Sequence, residues 1–128
     1  NNLPFVPNVY FEEWNDPMTT GIRWVSEIIE IAGGVDIFSN KALLPQARDR
    51  RVEAKEVIEK NPDIILVSWC GKKIDFVEIK ARGKWENINA VKHNNIFEID
   101  ASIILQPGPA IITTGLSEIR NIFLEYEA

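Results

Sequence analysis

Apolar and polar positions follow two different periods along this chain, and the switches between them divide it into elements. "VYFE" at 9–12 is a run of aromatic and β-branched residues ending on a carboxylate, the pattern of a short strand. From 20 to 32 the period lengthens. Ile22, Val25, Ile29 and Ala32 recur at steps of three and four, which puts them on one face of a helix. Thr19 or Thr20 is suited to cap its start, and Gly33-Gly34 to end it. Between 35 and 51 no period holds, and the stretch reads as a connection with room for one helical turn. Residues 53–60 read as a short charged helix stopped by Asn61-Pro62.

"IILVS" at 64–68 is apolar without a break, as in a strand of a parallel sheet covered on both faces. Residues 74–82 read as a helix ending at Gly83, 85–91 as irregular turns and 96–99 as a third strand. Residues 109–126 carry the most regular helical pattern, with Ile112, Leu116, Ile119, Phe123 and Tyr126 on one face. Pro109 suits its opening position, where a missing N–H does no harm. Strands alternating with helices predict an α/β fold: a three-layer sandwich with a mostly parallel sheet and right-handed crossovers. No repeat, low-complexity segment or second domain is evident. Residues 9–128 read as one unit, and 1–8, with two prolines ahead of the first strand, as a linker or the remnant of a larger protein.

Composition narrows the function classes. A chain of 128 residues suffices for one domain with a sizeable core. The net charge of -5 argues against non-specific nucleic-acid binding, which rests on neutralising phosphates. The basic run Arg48-Asp49-Arg50-Arg51 is interrupted by an acid and reads as a solvated turn. A single cysteine, Cys70, allows no internal disulfide, and with one histidine it cannot build a structural zinc site. No apolar run approaches the ~20 residues of a membrane span, and no signal peptide is visible.

In an open α/β sheet, ligands bind outside the carboxyl ends of the strands. Here the segments after the three strands are 13–18, 69–71 and 100–109. Trp14 and Trp69 follow strands directly, and Trp85 sits in the loop before the last one. Indole rings bury large area at little side-chain entropy cost, and they suit a broad planar ligand. Prolines and glycines hold such loops in shape beforehand. The competing reading makes these tryptophans core residues packed under loops, and for Trp24, on the helix, packing is the preferred one.

Catalytic patterns are weak. His93 stands alone between Lys92 and Asn94 and reads as a surface residue. Cys70 reads as a small residue at a strand end. "AGG" at 32–34 lacks the spacing and context of a dinucleotide loop. Glu12, Glu13 and Asp16 cluster as acid–base carboxylates would, but no nucleophile joins them. They read as solvated, or as docking a basic partner.

Several motifs occur together and in order: "FEEWNDPMTTGIRWVSEIIEIAGGVDIF", "NPDIILVSWCG" and "ARGKWENINAVKHNNIFEIDASIILQPGPAIITTGL". They resemble the carboxy-terminal lobe of cobalamin-binding substrate-binding proteins of ABC importers, those whose two lobes are joined by a rigid helix. The resemblance runs from about Val9 to about Phe123. It implies one lobe of a bilobal fold, no enzymatic activity, no cofactor beyond the ligand itself, and an extracytoplasmic, membrane-associated parent. It implies a cleft shared with a missing amino-terminal lobe and lined by Trp14, Asp16, Pro17, Trp69, Trp85, Gln106, Pro107 and Gly108. The ligand it implies is a corrinoid. Iron-siderophore or haem binding in the same importer class is the alternative, and a ferric hydroxamate usually calls for basic residues as well. Similar lobes dock on the membrane permease through an acidic residue seven positions before the N-P-D proline. Here that position is Lys55, so the resemblance shifts the contact to Glu53 and Glu56. A small α/β enzyme, and an interaction domain self-associating through the exposed half-cleft, are the rival readings.

Overall fold

A computed structural model describes residues 5–104, 108–109 and 111–126. Gln106 and Pro107 lie outside the described residues. Strand β1 (Asn8–Asn15) turns through Asp16-Pro17 into β2 (Met18–Thr20), followed by helix α1 (Arg23–Ile31), strand β3 (Val35–Asp36) and helix α2 (Ser39–Ala42). A 3-10 turn, Ala47–Arg50, leads to α3 (Ala54–Lys60), β4 (Ile64–Val67) and α4 (Phe76–Lys80). A second such turn, Trp85–Asn87, precedes α5 (Asn89–Lys92), β5 (Ile96–Glu98) and α6 (Ala101–Ile104). A π-helical turn, Ile111–Gly115, runs into α7 (Leu116–Glu125).

The sheet order is β2-β1-β4-β5, with β3 pairing the start of β1. β1, β4 and β5 are mutually parallel, as is β3 with β1; β2 is antiparallel to the end of β1. The mostly parallel sheet agrees with the sequence reading. β2, β3 and α6 do not appear in that reading, because two to four residues are too few to show a period.

Alternation along the strands builds two cores. Val9, Phe11, Ile64 and Leu66 face one layer and meet Val25, Ile28 and Ile29 of α1 and Ile119 and Phe123 of α7. Tyr10, Ile65 and Val67 face the other and meet Val57 of α3, Ile79 of α4, Trp85 and Ile88. A strand with both faces covered has no polar position to spare, which is why β4 reads as a continuous apolar run. Gly34 lets the end of α1 close on α7: a Cβ there would lie 2.9 Å from Phe123 Cε2 and 3.1 Å from Val9 Cγ2. The anticipated helix at 109–126 is regular only from Leu116. The π turn ahead of it shifts the phase, so Ile112 leaves the buried face and is exposed.

Candidate functional site

The register fixes where the strands end. Glu12 pairs with Val67, and Val67 with Glu98, so the chain leaves β1, β4 and β5 along one edge. On that edge Lys72 joins two of the tryptophans. Its Nζ lies 5.5 Å from the centre of the Trp14 ring and 5.4 Å from that of Trp69, and it donates to Asn15 Oδ1 at 3.3 Å.

The tryptophans nevertheless have different surroundings. Trp14 belongs to β1, opposite Thr19, rather than to a loop, and it is half-buried. Its indole N–H donates to the Asp16 carbonyl at 3.1 Å. Trp69 is only 3% exposed and donates to Glu12 Oε2 at 2.9 Å. Trp85 is 0% exposed. It stands edge-on to Tyr10, lies under the Arg82 guanidinium, and donates to the Ala54 carbonyl. The expectation that Trp85 faces a cleft is therefore corrected: the turn after Gly83 carries it into the core, leaving no ring surface for a ligand. Trp24 packs on the opposite core and donates to the Ile104 carbonyl. Asp16 and Pro17 are exposed at the hairpin tip, and Gly108, at φ +150°, is exposed as well.

A buried hub underlies the edge. Glu12, 1% exposed, accepts from Arg82 at 2.7 and 2.9 Å through both oxygens, from Tyr10 Oη at 2.9 Å and from Trp69 Nε1. Burial, and then the Glu12 charge, push the Tyr10 phenol well above its ordinary range. Burial alone would lower Arg82, but its hydrogen bonds and attraction to Glu12 outweigh this and raise it. The reading of Glu12 as a solvated carboxylate is thus overturned. The only signals in the sequence were a carboxylate in a buried strand and an arginine seventy residues later, and no local period connects them.

Glu13 and Trp14 line the same groove although they are consecutive in β1. The cause is a bulge: between Glu12 and Trp14 the strand advances two residues while β2 advances one. Glu13 pairs with Arg50 at 3.0 Å. Burial raises the Glu13 carboxyl above its ordinary value, against the pull of Arg50. Arg50 is 2% exposed and also donates to the carbonyls of Thr20, Leu44 and Pro45. So Arg50 is a buried post and not part of a solvated turn, while Arg48 and Arg51 on either side of it are exposed. The groove, about 400 Å³, is lined by Glu13, Trp14, Pro17, Thr19, Ala47, Arg48, Arg51 and Cys70, a size within the ordinary range of ligand pockets.

Glu53 and Glu56 open α3 and cap it reciprocally, each side chain accepting from the other's backbone N–H. Lys55 Nζ lies 3.7 Å from Glu53. His93 is exposed at the end of α5, and the Cys70 thiol is exposed. Among the described residues no group of three or more His, Cys, Asp or Glu is placed to hold a metal ion.

A three-layer α/β unit with a built carboxyl edge has the form of a periplasmic-binding-protein lobe. The chain belongs to the periplasmic binding protein family, whose model matches residues 5–103. It is 30% identical over 117 residues to the uncharacterized ABC transporter substrate-binding lipoprotein YvrC of Bacillus subtilis, covering 89% of this chain and 34% of that protein. It is similar in structure to a possible iron-binding (periplasmic solute-binding) protein of Staphylococcus epidermidis, with TM-score 0.79, 26% identity, and 98% of this chain and 48% of that one covered. The same fold occurs in the periplasmic heme-binding protein RhuT of Roseiflexus, with TM-score 0.77, 18% identity and coverage of 96% and 48%. It occurs also in the vitamin B12 binding protein BtuF of Vibrio cholerae, with TM-score 0.71, 19% identity and coverage of 92% and 44%. The chain spans about a third of the curated relative and about half of these solved structures.

Proposed function

We propose that this chain is one lobe, the carboxy-terminal one, of the substrate-binding protein of an ABC importer, working outside the cytoplasmic membrane. Its ligand would be a large planar metal chelate held at the carboxyl edge of the sheet. The observation that carries the reading is the Trp14 groove on that edge, framed by a bulged strand and by the loop that Arg50 pins. Glu53 and Glu56, at the exposed start of α3, would meet basic residues of the permease.

A corrinoid would lie on the indole of Trp14, with Asp16, Pro17 and Gly108 as further contacts on this lobe. Trp69 supports that surface from beneath. A second reading, haem or a ferric siderophore, is favoured by the exposed arginines on the groove wall. The test is titration of the chain with cyanocobalamin and with haemin, followed by tryptophan fluorescence. One face of a cleft should bind in the high micromolar range, with quenching that is lost in Trp14→Ala. Absence of quenching by both ligands at millimolar concentration refutes the reading.

A further inference from the structure

We infer that Lys72 is a movable cover on the carboxyl edge: in the free chain its side chain lies over the Trp14 and Trp69 rings, and a ligand that takes those rings sends its ammonium to the carboxylates of Glu98, Asp100 and Glu118. This rests on the binding-lobe reading and adds a moving part to that site.

The edge carries two hollows. The Trp14 groove, about 400 Å³, has Glu13, Pro17 and Cys70 in its wall; the second, about 510 Å³, is formed by Trp69, Gly71, Lys72, Glu98, Asp100 and Glu118. Lys72 stands between them, its ammonium 5.5 Å from the centre of the Trp14 ring and 5.4 Å from that of Trp69. The Trp69 ring, 3% exposed, has the core on one side and this exposed lysine on another. Two positions compete for the ammonium. The one it takes is neutral: two rings and Asn15 Oδ1, which Glu78 fixes by accepting from Asn15 Nδ2 at 2.9 Å. The one it leaves is acidic. Lys72 lines the hollow of Glu98, Asp100 and Glu118, yet among the described residues no ion pair joins it to them. A cation over exposed rings and a surface ion pair are both weak and of similar size. A small gain therefore moves the ammonium from one to the other, and the flexible four-carbon stem makes the move without a change of backbone. Nothing packs on the turn beneath it: Cys70 and Gly71 are exposed, and a Cβ at Gly71 would meet no atom within 4 Å. A flat ligand on Trp14 claims ring surface that Lys72 occupies. Once the ammonium has crossed to the acidic side, the barrier between the hollows is gone and Trp69 changes from support to contact surface.

The experiment uses the 128-residue chain and cyanocobalamin as the probe. The variants are Lys72→Met, Glu98→Gln/Glu118→Gln, these changes combined, and Lys92→Met as a control that loses the same charge elsewhere. Lys72→Met should bind cyanocobalamin about 2- to 5-fold more tightly, the size of one exposed cation–ring contact. Removing the two carboxylates should weaken binding about 2- to 5-fold in the parent, where the displaced ammonium loses its second partner, and have no effect in Lys72→Met. The control should match the parent. Weaker binding by Lys72→Met, the sign expected of a lysine that touches the ligand, overturns the inference. So does a carboxylate effect that is the same in both backgrounds. A second readout needs no ligand. With fluorotryptophan in the chain, and fluorine signals assigned by tryptophan-to-phenylalanine variants, Lys72→Ala should make the Trp69 signal about twofold more sensitive to broadening by a neutral nitroxide. The Trp85 signal should not change, and an unchanged Trp69 signal overturns the inference. If cyanocobalamin does not bind the parent but Trp69 is uncovered in Lys72→Ala, the corrinoid reading falls and the cover stands.

Discussion

Replacing Glu12 by alanine tests the hub on which the edge is built. The substitution removes one carboxylate and strands three donors: the Arg82 guanidinium, the Tyr10 hydroxyl and the Trp69 indole. Tyr10 and Trp69, at 0% and 3% exposure, are buried. A buried polar group without a partner costs about 1–3 kcal/mol, and breaking a buried ion pair from one side costs about 3–5 kcal/mol. Arg82 recovers part of this, because its side chain keeps 12% exposure and lies 3.9 Å from Glu78. The expected loss is therefore about 3–4 kcal/mol, a large share of the 5–15 kcal/mol typical of a domain. Urea unfolding followed by far-ultraviolet circular dichroism should show the midpoint falling by more than about 1 M. A double-mutant cycle with Arg82→Ala isolates the pair. Once Glu12 is gone, removing Arg82 should cost little more. Strict additivity, or a Glu12→Ala loss below about 1 kcal/mol, would mean that Glu12 does not hold this cluster together.

Other perturbations act on separate features. Arg50→Ala should cost about 2–4 kcal/mol, since it removes the ion pair of Glu13 and the shared donor of the Thr20, Leu44 and Pro45 carbonyls, and it should speed proteolytic cleavage within 43–49. Gly34→Ala should destabilise by about 1–3 kcal/mol by overpacking against Phe123, measured as a lowered thermal midpoint. Asp36 is buried, and that desolvation raises its pKa from 3.8 despite the nearby Ser26 hydroxyl and the hydrogen bond from the Phe38 N–H. The folded state then holds the proton more tightly than the unfolded one. The stability this group contributes is greatest at low pH and is lost as pH rises from 3.8 through the raised folded value. Asp36→Asn should flatten the slope of stability against pH in that window; an unchanged slope would show that other groups set it.

Much of the scaffold could be read directly from residue order. The 9–12 and 64–68 runs, the face Ile22-Val25-Ile29-Ala32 and the 116–126 repeat each pair a backbone period with burial. A strand or helix that must bury one side leaves that mark within a few residues. The site was legible in part. Which segments end along the carboxyl edge follows from parallel strands, but the depth of each side chain does not. Trp14, Trp69 and Trp85 look alike in sequence, and they lie half-buried, nearly buried and fully buried.

The alternation of strands and helices, the two-sided core and the family are legible in residue order alone, because local periodicity and motif order are written in neighbouring residues. That Glu12 is a buried hub, that Arg50 is a post between exposed Arg48 and Arg51, and that Trp85 belongs to the core came from the assembled fold. The partners that decide these matters are 70 residues away for Arg82 and Glu12, 37 for Arg50 and Glu13, and 31 for Trp85 and Ala54. The free energy of a buried charge or indole depends on the groups that surround it in space, and those are assembled by the sheet rather than by the chain's local order.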